Sequence, residues 1–206
     1  GLRGRAGHRR ATRRPVRLVY SRYEDFVATE GRHPATVTLR VGFKNNGTLT
    51  AIHGRASFNT GPYASQGPNV TAFFGMCLLR PYRCGNRHYD GYTVFTNAPP
   101  ASAFRGFGGP QAMFALEQVV DEIAERVGKD PLEFRLENLA GKGDIDYVLM
   151  RPIDSDGLHR CLREGAKAID WASKRGKGGG SGPWRRGVGM AVSVYVSGTA
   201  CLGDTL

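Results

Sequence analysis

The sequence predicts an α+β domain, and three observations predict it. β-rich runs crowd the first hundred residues, a strongly amphipathic helix occupies residues 111–127, and the two kinds of element follow one another in blocks. That block order argues against a simple doubly wound β-α-β sheet.

Order begins near Pro15. Residues 1–14 have almost no apolar content and carry self-repelling charge, so they stand apart as a basic, disordered or out-of-frame segment before a domain spanning residues 15–206. Residues 16–20, 36–43 and 49–58 have the composition of strands, and Asn45-Asn46-Gly47 is the turn that joins the last two as a hairpin. Residues 36–41 alternate polar and apolar, as a sheet with one face on a core requires. Residues 60–87 lack periodicity and are rich in Gly, Pro, Asn and aromatics, which reads as a long functional loop. Residues 89–96 return to strand and are stopped by Pro99 and Pro100.

Between residues 111 and 127, Ala112, Met113, Leu116, Val119, Val120, Ile123, Ala124 and Val127 recur at spacings of three and four. Glu117, Asp121, Glu122 and Glu125 fall mainly on the other side, and Gly128 closes the helix. Asp130 as N-cap and Pro131 in the first turn open a second helix running to about Leu139. A third, over residues 156–171, carries Leu158, Leu162, Ala166 and Ile169. The Gly-rich stretch 174–186 reads as a flexible surface loop, and residues 187–196 as a buried strand. That strand has no partner before the sequence stops at Leu206, so the domain reads as incomplete.

The 206 residues carry a net charge of +11, which raises a nucleic-acid reading. The distribution speaks against it. Seven arginines lie within residues 1–17, and Lys174, Arg175, Lys177, Arg185 and Arg186 hold most of the remaining excess. A basic tail and a basic loop without interleaved aromatics do not make a base-stacking face. No apolar run approaches the ~20 residues of a membrane span, and no secretory signal is evident, so a cytoplasmic chain is expected. Cys77, Cys84, Cys161 and Cys201 are too widely spaced for zinc or iron–sulfur pairs and read as reduced, partly buried thiols.

The segment most informative about function is Ala103-Phe104-Arg105-Gly106-Phe107-Gly108-Gly109-Pro110-Gln111, set between the Pro99-Pro100 stop and a helix start. Its glycines let backbone N–H groups approach a ligand, and the helix that follows points its positive end at the loop. The glycines match neither the dinucleotide fingerprint nor a P-loop. The segment resembles the pterin-contacting loop of the molybdenum hydroxylases, the xanthine dehydrogenase and aldehyde oxidase family. Residues 15–26, Gly31-Arg32-His33-Pro34, Tyr82-Arg83-Cys84, residues 89–97 and residues 130–138 resemble further stretches of the same molybdenum-binding subunit, in the same order.

The resemblance implies a fragment of the aldehyde oxidase/xanthine dehydrogenase molybdopterin-binding domain, incomplete at both ends. It implies a molybdenum–pterin cofactor, the cytosine dinucleotide form among its variants, with iron–sulfur clusters and FAD on partner domains or subunits. The implied reaction is hydroxylation of an N-heterocycle, an aldehyde or a related aromatic substrate with water as oxygen source. Ala103, Phe104, Arg105 and Gly106 would face the cofactor, and Phe107 would pack on a flat substrate. Some purine-oxidising relatives carry a substrate-binding arginine where this chain has Thr71-Ala72-Phe73-Phe74-Gly75. Phe73 or Phe74 would take that place, which favours a less polar ring or an aldehyde. The family's glutamate base lies beyond residue 206, so no catalytic base and no protein ligand to the metal is expected here, and the chain alone is expected to be inactive.

Plainer readings stand beside these. A core-anchor role is open to Phe104 and, less readily, to Phe107, and His33, next to Pro34 with no carboxylate nearby in sequence, reads as structural. Glu24, Asp25 and Glu30 read as surface residues on a strand edge. The competing classes are a truncated, non-catalytic gene product, which the arginine-rich start favours, and a basic nucleic-acid-binding module.

Overall fold

The computed structural model describes residues 13–180 and 182–195. Helix α1 (Arg22–Ala28) precedes strands β1 (Ala35–Phe43) and β2 (Leu49–Gly61); helix α2 (Gly67–Leu79) then leads to β3 (Asn86–Phe95). Helices α3 (Gly109–Arg126) and α4 (Pro131–Asn138) follow, then a two-stranded ribbon, β4 (Ile145–Asp146) and β5 (Arg151–Pro152). Helices α5 (Gly157–Ala168) and α6 (Trp171–Lys174) come last.

The sheet order is β1-β2-β3. β1 and β2 form the expected antiparallel hairpin, with Asn46 Oδ1 accepting the Thr48 N–H at 3.0 Å in its turn. β2 and β3 are parallel, so α2 is the crossover that parallel neighbours need. The inward residues Leu49, Ala56 and Phe58 of β2 meet Val70, Phe74 and Leu78 of α2 and Leu116, Val120 and Ala124 of α3 in one core. α2 lies directly on the strands. A Cβ on Gly75 would stand 2.3 Å from the Tyr89 ring, so only glycine permits that approach.

The expected loop over residues 60–87 is therefore corrected: half of it is α2. A helix enclosed on several sides has no polar stripe, and the helical period that betrays α3 is missing. The expected strand at residues 16–20 is not formed. Those residues are in no strand, and α1 follows, opened by a capping box in which Ser21 N–H donates to Glu24 Oε2 at 2.8 Å and Glu24 N–H to Ser21 Oγ at 3.2 Å. Glu24 and Asp25 thus lie in a helical first turn and not on a strand edge.

The strand expected at residues 187–196 is also absent over its described part, residues 187–195. This extended segment packs by alternate residues, with Val192 buried and its N–H donated to Glu117 Oε2 at 2.7 Å. Glu117 is itself misplaced by its polarity. It lies inside, accepting from Tyr82 Oη at 2.6 Å and Arg135 Nε at 2.9 Å. Asp130 caps α4 as expected, and Trp171 Nε1 donates to the same carboxylate at 3.1 Å. Among the described residues no helix is long and apolar enough to cross a membrane. Cys77 and Cys84 are buried free thiols, Cys161 is exposed, and Cys201 lies outside the described residues.

Candidate functional site

The loop between β3 and α3 is anchored at both ends and open in the middle. At its start, Thr96 N–H donates to the Gly61 carbonyl at 3.0 Å, Ala101 N–H to Thr60 at 3.2 Å, and Ser102 N–H to Gly31 at 3.0 Å. Ser65 Oγ bridges Glu30 Oε1 at 2.8 Å and Ser102 Oγ at 2.6 Å. At its end Gly106, Phe107 and Gly108 all have positive φ, at 90°, 46° and 92°. Three successive left-handed residues turn the chain into α3, and an aromatic residue held there stores strain that its packing must offset.

Ala103, Phe104 and Arg105 are exposed at the tip, and Gly106 is half-buried. Among the described residues, the N–H groups of Ala103, Phe104, Arg105 and Gly106 donate to no protein acceptor. The Arg105 guanidinium likewise has no carboxylate partner among them. Its carbonyl accepts from Arg32 Nη2, while Arg32 Nη1 donates to Gln111 Oε1 at 3.0 Å and the guanidinium lies 4.7 Å over the Phe104 ring. Sequence reasoning quoted Arg32 and Gln111 without a role. Their contact joins positions 79 residues apart, which no local pattern could reveal.

Phe107 is partly buried and meets Phe73 edge-on at 5.8 Å; Phe73 in turn meets Tyr195 at 5.0 Å. Phe74 points the other way. It is 0% exposed between Phe58 and Tyr89, so a direct substrate contact from Phe74 is corrected to a core role, and of the two candidates in α2 only Phe73 borders Phe107. His33 is buried with Nε2 unpartnered, and burial lowers its pKa, which keeps the ring neutral as a structural residue should be.

The loop therefore joins N–H groups that have no protein acceptor among the described residues, a guanidinium with no counter-ion among them, and the start of an 18-residue helix that has no acid in its first turn. This is an anion-receiving arrangement with an aromatic wall beside it. Residues 7–139 match the family model described as a molybdopterin cofactor-binding domain. The chain belongs to that family.

Like other molybdopterin cofactor-binding domains, it has relatives among both xanthine dehydrogenases and aldehyde oxidoreductases. It is 39% identical over 191 residues to a putative xanthine dehydrogenase molybdenum-binding subunit of Escherichia coli, covering 92% of this chain and 25% of that protein. It is 34% identical over 191 residues to the aldehyde oxidoreductase of Megalodesulfovibrio gigas, covering 91% of this chain and 21% of the relative. The solved aldehyde oxidoreductase from Desulfovibrio gigas superposes with a TM-score of 0.71 at 32% identity, over 80% of this chain and 18% of that one. The chain thus spans about a quarter, or less, of the length of these relatives. A molybdopterin carries an anionic dithiolene and phosphate, and the donor set at residues 103–106, with no carboxylate in the loop, fits such a group.

Proposed function

We propose that this chain forms one wall of the molybdenum–pterin site of a hydroxylase of the xanthine dehydrogenase/aldehyde oxidase type. The observation that carries the reading is the run of four unpartnered N–H groups at Ala103, Phe104, Arg105 and Gly106 beside the Arg105 guanidinium. When bound, the cofactor would supply the two-electron oxidation of substrate with water as oxygen source. The protein's share is placement. Main-chain N–H groups and Arg105 stabilise the anionic group, and Phe107, braced by Phe73, offers a face to a flat substrate.

The apolar character of Phe107, with Phe73 buried behind it, suits a less polar ring or an aldehyde better than a polar purine. Iron–sulfur and FAD domains or subunits would carry the electrons away. No carboxylate lies in the loop itself, so in this reading the general base comes from outside the loop.

The test uses the full-length protein that carries this chain, with molybdenum measured by elemental analysis and aldehyde and N-heterocycle oxidation followed with an artificial electron acceptor. Phe107→Ala removes a stacking surface worth about 1 kcal/mol, so kcat/KM for aromatic substrates should fall about fivefold to tenfold at unchanged metal content. Lost molybdenum with unchanged efficiency per metal would assign Phe107 to packing.

A further inference from the structure

We propose that His53, His88 and Asp90 form a metal site of their own on the outer face of the sheet, for a divalent transition-metal ion of the zinc, nickel or copper class. His53 in β2 is the register partner of His88 in β3, and Asp90 stands two residues along β3 on the same face. The two imidazoles converge on one carboxylate. His53 Nε2 lies 3.0 Å from Asp90 Oδ2, and His88 Nε2 lies 3.0 Å from Asp90 Oδ1. The ring centroids are 5.0 Å apart, and the three candidate ligand atoms all fall within 4.8 Å of one another.

Ligands about 2.0 Å from a tetrahedral ion stand roughly 3.3 Å apart, so small rotations of these side chains would bring the three atoms to coordination distance. The backbone beneath them need not move, because β2 is held by a strand on each side. Two neutral nitrogens with one carboxylate oxygen select a borderline transition metal over magnesium or calcium, which take oxygen ligands, and leave at least one position to water. The two Asp90 carboxylate oxygens already face the two rings, one to each. Entry of the ion replaces both N–H···O contacts, and each ring then carries its proton on Nδ1 or loses the second one.

Two cations flank the cluster. Arg40 is opposite His53 and Arg55 opposite Asp90; the Arg55 guanidinium is occupied 5.1 Å above the Tyr92 ring. Their charge opposes a second cation and keeps the affinity moderate. Sequence spacing gives little warning of this site, since His53 and His88 meet only through the parallel register across α2. It is independent of the molybdenum reading, because its readout is the metal itself.

The chain is stripped with a chelator and dialysed against zinc and, separately, magnesium, with bound metal measured by elemental analysis. One equivalent of zinc and no magnesium is expected, with a visible cobalt(II) spectrum when cobalt replaces zinc. His88→Gln and His53→Gln should each weaken zinc by at least the ~10-fold that even an outer-shell loss costs, with circular dichroism unchanged, while His159→Gln leaves binding intact. Zinc binding that survives His53→Gln and His88→Gln, that falls equally in His159→Gln, or that is absent from the unaltered chain would overturn the proposal.

Discussion

Gly108 presses on α2 so closely that a Cβ there would stand 2.6 Å from the Val70 carbonyl oxygen and 3.1 Å from Phe74 N. This contact sets the height of the ligand loop above the core, because Gly108 ends the loop and begins α3. Gly108→Ala meets both a positive φ of 92° and backbone that cannot yield. A loss of about 2 kcal/mol or more is expected in chemical denaturation, whereas alanine at the open, helical Gly165 should gain about 0.5 kcal/mol. Equal effects at the two positions would contradict the contact.

The buried Glu117–Arg135 pair joins four segments of the chain, α3, α4, the turn at Tyr82 and the segment at Val192, since Glu117 also takes the Tyr82 hydroxyl and the Val192 N–H. Glu117→Gln leaves the 0% exposed Arg135 guanidinium with the half-exposed Asp121, 2.7 Å away, as its one carboxylate among the described residues, beside the Pro131 and Glu117 carbonyls. The expected cost is about 3 kcal/mol, whereas Asp121→Asn should cost about 1 kcal/mol or less. Denaturation midpoints at neutral pH separate the two, and the reverse order would place the buried charge elsewhere.

Cys77 supplies an alkaline signature. Burial raises its thiol pKa from 9.0 to about 11, so the folded chain keeps a proton that the unfolded chain releases. Stability from this group is full below pH 9 and is lost as pH rises towards 11. Cys77→Ala should flatten that part of the stability profile. In a Cys201→Ser background at neutral pH, Cys161 should react with a thiol reagent at once and Cys77 and Cys84 only on unfolding. Immediate labelling of Cys77 would show that α2 is not packed as described.

Local chemistry made several elements legible in the sequence. The turn at Asn45-Asn46-Gly47, the stripe from Ala112 to Ala124 and the Asp130-Pro131 start each act through neighbours in sequence, and the hairpin, α3 and α4 lie where these residues put them. α2 escaped because burial on several faces erases periodicity, and α1 because it is only seven residues long with no buried residue, so it carries no apolar stripe. The turn at residues 103–108 between β3 and α3 was legible from its glycines and prolines. Its bracing by Arg32 and Gln111, the burial of Phe74 and the meeting of His53 with His88 depend on tertiary register, which composition does not encode.

The central claim is that residues 103–106 and the Arg105 guanidinium face an anionic molybdenum–pterin group. Arg105 is exposed and makes no side-chain ion pair among the described residues, so Arg105→Glu should leave the fold intact while placing a carboxylate where an anion would sit. The decisive measurement is molybdenum per polypeptide in the full-length protein carrying Arg105→Glu, with circular dichroism as the control for folding. The account expects a fall of about tenfold or more at unchanged secondary structure, the cost of trading one charge-assisted contact for a repulsion. Molybdenum content equal to that of the unaltered protein would contradict it.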